Sequence, residues 1–226
     1  MTQSINRFFS ENGYYHAKGV FTKAEMRPLA RDFDRMVDQV LANEKKVNTG
    51  WKGGPTRKLR GGKRTELVHT HQVQIYSEKW LQAFFNKRFL QIASSILGPD
   101  IILHHSKLFE KPPEKGAPFP THQDWSYFPT VKDTMIAGII HVSKATDEMG
   151  CVRVYPGSHK LGRKKKTSGA VASRLLDKYP IEKALAVECE PGDVIFFHYF
   201  TLHGSMPNRS NQYRKTVLVQ MHAGDD

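Results

Sequence analysis

The chain has 226 residues, 39% of them hydrophobic, with two cysteines and a formal net charge of +12. That length suits one large domain with a filled core, and the apolar and aromatic content excludes a disordered chain. Two cysteines, Cys151 and Cys189, exclude a disulfide scaffold and a thiolate-rich zinc or iron–sulfur site, so a bound metal would need His, Asp or Glu ligands.

The N-terminal MTQSINRFFSENG has neither the charged nor the apolar block of a secretory signal, and no apolar run is long enough to span a bilayer. A cytoplasmic protein without membrane contact is expected. Ser4 to Asn12 reads as a short helix stopped by Gly13, with an extended stretch, YYHAKGVF, after it. Thr22-Lys-Ala-Glu25 then has the form of a capping box, and Met26, Leu29, Phe33, Met36, Val37, Val40 and Leu41 follow at helical spacing. Segment 45–64 carries eight Lys or Arg and no acid, and its turn formers predict a solvated loop. A second helix is expected from Ser77 to Leu97, ended by Gly98-Pro99.

From Ile101 the pattern changes to short apolar or alternating runs between turns, from IILHHSKLFEK to YRKTVLVQMHA. Such spacing predicts antiparallel β-structure, a sandwich or double-sheet barrel, so the fold class is mainly β with N-terminal helices. Pro191-Gly192 has the form of a type II turn, and MPNRSN at 206–211 that of a hairpin loop. The excursion from Leu161 to Pro180 begins with a second basic tract, LGRKKKTSG, and contains a predicted short helix, VASRLLDKY.

Within PTHQDWSYFP at 120–129, His122 and Asp124 are spaced i, i+2, which on a strand puts both side chains on one face. Two downstream histidines compete to be the third ligand. His198 lies in an aromatic run and reads as a core histidine; His203, expected to end its strand beside Gly204, is the better ligand. Two His and one carboxylate are the donor set of non-haem Fe(II) oxygenases, which leaves three coordination positions open. Of the other histidines, His69 and His71 read as scaffold or surface, His159 as part of a structural turn, and at most one of the adjacent His104 and His105 should face the pocket. Trp125, Tyr127 and Phe128 are core residues by default, with the substrate side of the metal as the alternative.

PTHQDWSYFP, GCVRVYPGSHK at 150–160 and EPGDVIFFHYFTLHGSMPNRSNQYRK at 190–215 together resemble the core of the phytanoyl-CoA dioxygenase family of Fe(II)- and 2-oxoglutarate-dependent oxygenases. The resemblance implies a double-stranded β-helix, or jelly roll, over 101–226, with residues 1–100 as mainly helical support in a single domain. By motif position it implies that His122, Asp124 and His203 hold iron, and that Arg214 and Ser205 grip the distal carboxylate of 2-oxoglutarate. A planar, permanently charged guanidinium suits that task. Gln74 or Gln72 is matched to a polar family position that touches the co-substrate. Where a mammalian member has a tryptophan in the co-substrate pocket, this chain has Ile139 or Ile140. The implied activity is hydroxylation, or another oxidation, of a C–H bond of a small molecule, using Fe(II), 2-oxoglutarate and dioxygen and releasing succinate and CO2. Asp124 disfavours halogenation, which needs a small residue there.

The basic tracts suggest an anionic substrate, and the C-terminal AGDD is not the peroxisomal tripeptide. A non-catalytic basic module binding nucleic acid or an acidic partner is the competing reading. It is disfavoured because the aromatics surround the metal blocks instead of interleaving with the basic tracts.

Overall fold

A computed structural model of the chain describes residues 2–42, 67–164 and 177–226. The basic tract at 45–64 lies outside the described residues, as do 165–176, which hold part of the second tract and most of the helix expected over VASRLLDKY; Asp177 and Lys178 are helical.

Helix α1 spans Thr2–Asn12 and closes at Gly13, whose positive φ of 73° accompanies a Gly13 N–H bond to Phe9 O of 2.7 Å. Strand β1 (Tyr14–Ala17) follows, then α2 (Lys23–Ala42). The capping box forms as its sequence predicts. Thr22 N donates to Glu25 Oε2 at 2.7 Å, and Glu25 N donates to Thr22 Oγ1 at 3.2 Å. After β2 (Val68–His71) and one turn of helix, α3 (Val73–Tyr76), the helix expected as continuous over Ser77 to Leu97 is two helices, α4 (Glu78–Phe84) and α5 (Lys87–Leu97). Asn86 causes the break. Its side-chain oxygen accepts from Arg88 N at 3.0 Å and Phe89 N at 3.2 Å, so it caps a new helix in place of continuing the old one.

The remaining strands are β3 (Ile101–Lys111), β4 (Phe119–His122), β5 (Ile136–His141), β6 (Val152–Val154), β7 (Leu185–Val187), β8 (Val194–His198), β9 (His203–Ser205) and β10 (Arg214–Ala223). They form a six-stranded sheet, β1-β8-β5-β10-β3-β2, and a four-stranded sheet, β4-β9-β6-β7, with antiparallel pairing throughout. The architecture is a double-stranded β-helix of two facing sheets. Its larger sheet recruits β1 and β2 from the first hundred residues, so those residues contribute strands as well as supporting helices.

Alternation along the strands separates two apolar zones. One face of the large sheet, with Leu108, Ile140, Phe196, Val217 and Val219, packs against Phe33, Trp80 and Phe89 of the helices. The other face points between the sheets, where Ala137, Ile195, Phe197 and Leu218 meet Val152, Val154 and Val187. The Pro191-Gly192 turn ties the layers together. Asp193 N bonds Glu190 O at 3.1 Å, and Gly192 has φ 94°, as the third residue of a type II turn requires. A Cβ on Gly192 would stand 2.1 Å from Phe21 O, so close approach as well as backbone conformation demands glycine there. Among the described residues, no helix is long and apolar enough to cross a membrane.

Glu110, 5% exposed on β3, faces the helical layer, where Lys215 lies 3.9 Å away. Its carboxyl is pushed up to about 6, first by burial, which Lys215 opposes, and further by Asp34 and Asp38. A raised carboxyl pKa favours the folded state below the unfolded value of 4.5, and that contribution is lost as pH rises through about 6. Glu110→Gln should therefore leave stability unchanged below pH 4.5 and add about 1–2 kcal/mol at pH 7, measured by denaturant unfolding across that range.

Candidate metal centre and its pocket

Strands β4 and β9 pair antiparallel, with His122 directly opposite His203. Cross-strand neighbours on one face have close Cβ atoms, and here the imidazole centroids are 4.2 Å apart. The strand expected to carry both His122 and Asp124 ends at His122, and Asp124 opens a 3-10 turn, Asp124–Ser126. The spacer causes this. Gln123 is fully buried; its Nε2 donates to Phe200 O at 2.6 Å and Gly162 O at 3.0 Å, while its Oε1 accepts from Trp125 Nε1 at 2.7 Å and Lys164 N at 3.0 Å. With Gln123 anchored on one side, Asp124 swings to the other, and its N–H bonds Tyr199 O at 2.9 Å. His203 begins its strand where the sequence suggested it would end one.

Backbone carbonyls set the tautomers of both histidines. Nδ1 of His122 lies 2.8 Å from Pro120 O and Nδ1 of His203 lies 3.0 Å from Thr201 O, so each Nδ1 carries the proton and each Nε2 the lone pair. The two Nε2 atoms are 3.4 and 3.6 Å from Asp124 Oδ1. Three ligands at about 2.1 Å from one ion at right angles would be about 3 Å apart, so the donor atoms already stand near the spacing that a first-row metal imposes. The other carboxylate oxygen, Asp124 Oδ2, accepts from Gln220 Nε2 at 2.7 Å. Burial pushes the Asp124 carboxyl up, but the attraction of the His203 and His122 rings when they are protonated, together with the Gln220 amide, outweighs it and holds the group below the usual carboxylate range. His203 is pushed down to about 4 by burial and by the neighbouring His122, so its Nε2 is unprotonated at neutral pH.

The three side chains open onto a cavity of about 380 Å³ between the sheets. Its walls are largely apolar, including Phe109, Phe197, Leu218 and Ile139. Ile140, the alternative at that position, lies in the core beneath the helices. Tyr127 and Phe128 line the cavity, whereas Trp125 packs edge-on to Phe200. Arg214, Thr216, Leu218 and Gln220 line it from alternate positions of β10. Arg214 is 3% exposed, donates from Nη1 to Gly150 O at 3.1 Å, and has no bonded partner for Nε among the described residues. Burial lowers its pKa to about 10, which leaves it charged. The adjacent Cys151 thiol, pushed up to about 11 by burial, stays neutral and does not balance that charge. Ser205 shares the cavity wall with Arg214.

Gln72 and Gln74 do not line the cavity. Gln72 adopts a left-handed conformation, φ 57°, before α3, and accepts from Gln74 Nε2 at 2.7 Å; Gln74 Oε1 accepts from Ser106 Oγ at 2.5 Å. His198 is turned elsewhere, bonded to Asp133 O at 2.9 Å and Phe200 N at 3.0 Å. His104 and His105 both reach Phe128, because the register of β3 with β10 slips there and leaves His104 as the extra residue of a bulge. A second group, His16, Cys189 and Asp193, also gathers potential ligand atoms. Asp193, however, already accepts from Gly19 N, Glu190 N and His16, an arrangement that secures β1 to the Pro191-Gly192 turn.

Among polar residues, Lys107, Thr216 and Gln220 line the cavity and Lys111 bonds Ser205 from behind its wall, and none of them was singled out from sequence. The signal for them is period-two alternation. On β10, Arg214, Thr216 and Gln220 are polar residues on the face opposite Val217 and Val219, and on β3 Lys107 and Lys111 alternate in the same way with Leu108.

A phytanoyl-CoA dioxygenase (PhyH) family model matches residues 9–216. The human peroxisomal phytanoyl-CoA dioxygenase is 25% identical over 237 residues, covering 100% of this chain and 69% of its own length. A probable alpha-ketoglutarate-dependent hypophosphite dioxygenase of Stutzerimonas stutzeri is 26% identical over 230 residues, covering 97% of this chain and 78% of its own. The solved structure of the epimerase SnoN in complex with Fe3+, alpha ketoglutarate and nogalamycin RO superposes with a TM-score of 0.75 at 20% identity, covering 98% of this chain and 83% of that one.

Divalent iron or manganese should raise the melting temperature of metal-free protein. At free metal a hundredfold above Kd the gain is about 2.7 kcal/mol, and calorimetric scans of Asp124→Ala and His203→Ala should show none of it. Gln220→Leu should keep the metal response but weaken affinity roughly 10- to 100-fold, because the carboxylate loses the donor that orients it.

Proposed function

The chain belongs to the phytanoyl-CoA dioxygenase family, and from that membership we propose that it uses iron(II), 2-oxoglutarate and dioxygen to hydroxylate, or otherwise oxidise, a C–H bond of a small molecule, releasing succinate and CO2. The observation that carries this reading is one cavity containing both a His122–Asp124–His203 donor set and a buried Arg214 with no acid at ion-pairing distance among the described residues. A metal suits the first and a carboxylate the second. A co-substrate with a chelating keto-acid end and a carboxylate at the other end suits both.

When bound, iron(II) would supply dioxygen activation coupled to oxidative decarboxylation of the keto acid. The chain's own residues bind, orient and shield. His122, Asp124 and His203 would hold the ion, offering Nε2, a carboxylate oxygen and Nε2. Gln220 donates to the second carboxylate oxygen, which leaves Asp124 Oδ1 as the oxygen facing the two imidazoles. Arg214 offers its guanidinium to the distal carboxylate, with Ser205 beside it as a hydroxyl donor. Phe197, Ile139 and Leu218 exclude water, which strengthens the electrostatic hold on the anion.

The substrate in this reading is small and carries an anionic group. Lys107 supports it. This cavity-lining lysine has its Nζ 5.5 Å from the Phe128 ring centroid and no carboxylate at ion-pairing distance among the described residues. A relative named for hypophosphite, itself an oxyanion, is consistent with such a substrate. The competing reading of a basic binding module rests on the two tracts 45–64 and 161–169, which apart from residues 161–164 lie outside the described residues.

Purified protein with iron(II) and 2-oxoglutarate should form succinate, and Asp124→Ala should form none; equal succinate from that variant would remove the triad from the reaction. Arg214→Met should raise the KM for 2-oxoglutarate by roughly 10- to 100-fold, the loss of one to two charge-assisted hydrogen bonds. Lys107→Met should leave substrate-independent succinate formation in place and abolish its stimulation by an anionic substrate.

A further inference from the structure

Lys111, the last residue of β3, is fully buried, and no carboxylate lies at ion-pairing distance from it among the described residues. Its Nζ donates to Ser205 Oγ at 2.6 Å and to Met206 O at 2.8 Å, and it stands 5.3 Å from the centroid of the Phe119 ring. Its register partner on β10 is Arg214. Two basic side chains therefore lie side by side on adjacent strands, both buried and without an acid at ion-pairing distance among the described residues; burial and the neighbouring Arg214 push the Lys111 pKa well below its usual value, so its charge is costly unless an anion joins it. Removing an ammonium from water costs several kcal/mol, and two neutral acceptors and an aromatic face offset only part of that. Placing it beside a guanidinium adds repulsion. The arrangement makes physical sense if an anion completes it.

Lys111 does not line the cavity, but Ser205 does. When protonated, as beside a bound anion, Lys111 has donors and no acceptor, so Ser205 Oγ then receives the Lys111 bond. The single Ser205 hydroxyl proton is then left to point at another acceptor, and the cavity end shared with Arg214 is where one is missing.

We propose that Lys111 is a positioning residue for the co-substrate: it commits Ser205 to donating into the cavity and adds a second positive charge behind Arg214, so that this end selects a keto acid with an anionic tail. The inference rests on the oxygenase reading above and extends it to discrimination among co-substrates. A neutral-tailed keto acid would meet two uncompensated cations and a hydroxyl proton with no acceptor, so the discrimination comes from what the wrong ligand leaves unpaired.

The test is calorimetric binding of 2-oxoglutarate and of 2-oxohexanoate, whose tail is uncharged, to manganese-loaded wild-type, Lys111→Met, Ser205→Ala and the double variant. Lys111→Met should weaken 2-oxoglutarate binding roughly 10- to 100-fold and change 2-oxohexanoate binding less than threefold. Because Lys111 acts through Ser205, the loss in the double variant should fall short of the product of the two single losses. In turnover, KM for 2-oxoglutarate should rise more than kcat falls. Lys111→Gln, which keeps a donor for Ser205 but no charge, replaces the Met variant if that one does not fold, and should show the same narrowing of preference. If wild type binds 2-oxoglutarate and the Lys111 variants retain its full preference, or weaken both keto acids equally, the Lys111 inference is overturned and the oxygenase reading stands. If wild type binds neither keto acid, both fall.

Discussion

The centre depends on the pairing of β4 with β9. That pairing sets His122 against His203 on the inner face of the smaller sheet, and each imidazole is then turned by the carbonyl two residues before it, Pro120 and Thr201. With Nδ1 committed to the backbone, the two remaining nitrogens face the same carboxylate oxygen of Asp124. Asp124 joins from a turn, which lets its carboxylate approach along a direction that a third strand position would not provide. A one-residue slip in this short ladder would send one imidazole to the opposite face, so a few backbone hydrogen bonds determine whether the donor set exists.

The larger sheet has a different task. Its outer face is closed by helices packed on Leu108, Ile140, Phe196 and Val217, which frees the inner face to carry charge. Arg214 and Lys111 are tolerated there because the surrounding layers hold them rigidly and because Cys151 and Cys189, both shifted upward by burial, remain neutral thiols. The apolar walls that make these cations costly in isolation are the same walls that would make an anion bind tightly between them.

Much of this was legible in the sequence, for identifiable reasons. The capping box at Thr22 and Glu25, the stop at Gly13 and the Pro191-Gly192 turn are local signals, and each formed as its residues predict. The HxD block and His203 were legible as chemistry, since few residue sets gather two imidazoles and a carboxylate in apolar β-context. What local pattern could not show was tertiary. Asn86 breaks a helix whose apolar spacing runs straight through it. A bulge at His104 brings together two rings that strict alternation would separate. Gln72 and Gln74 turn toward Ser106 and each other instead of the cavity, since a left-handed residue at Gln72 redirects the chain. Lys111 and Gln220 lay in plain alternation, but a lone polar residue on a strand reads as solvent-facing until the second sheet is known to cover it.

Gln123 gives the HxD block a mechanical property. Its one side chain grips the backbone at Gly162 and Lys164 while its own peptide carries His122 on one side and Asp124 on the other. Arg163, between those two grips, is itself moored to Asp133 and stacked over Trp125. The connection leading into the second lysine-rich stretch is thus yoked to the geometry of the donor atoms through a single amide. A displacement of residues 162–164 would therefore be felt at the spacing between the His122 imidazole and the Asp124 carboxylate, which flank the Gln123 peptide.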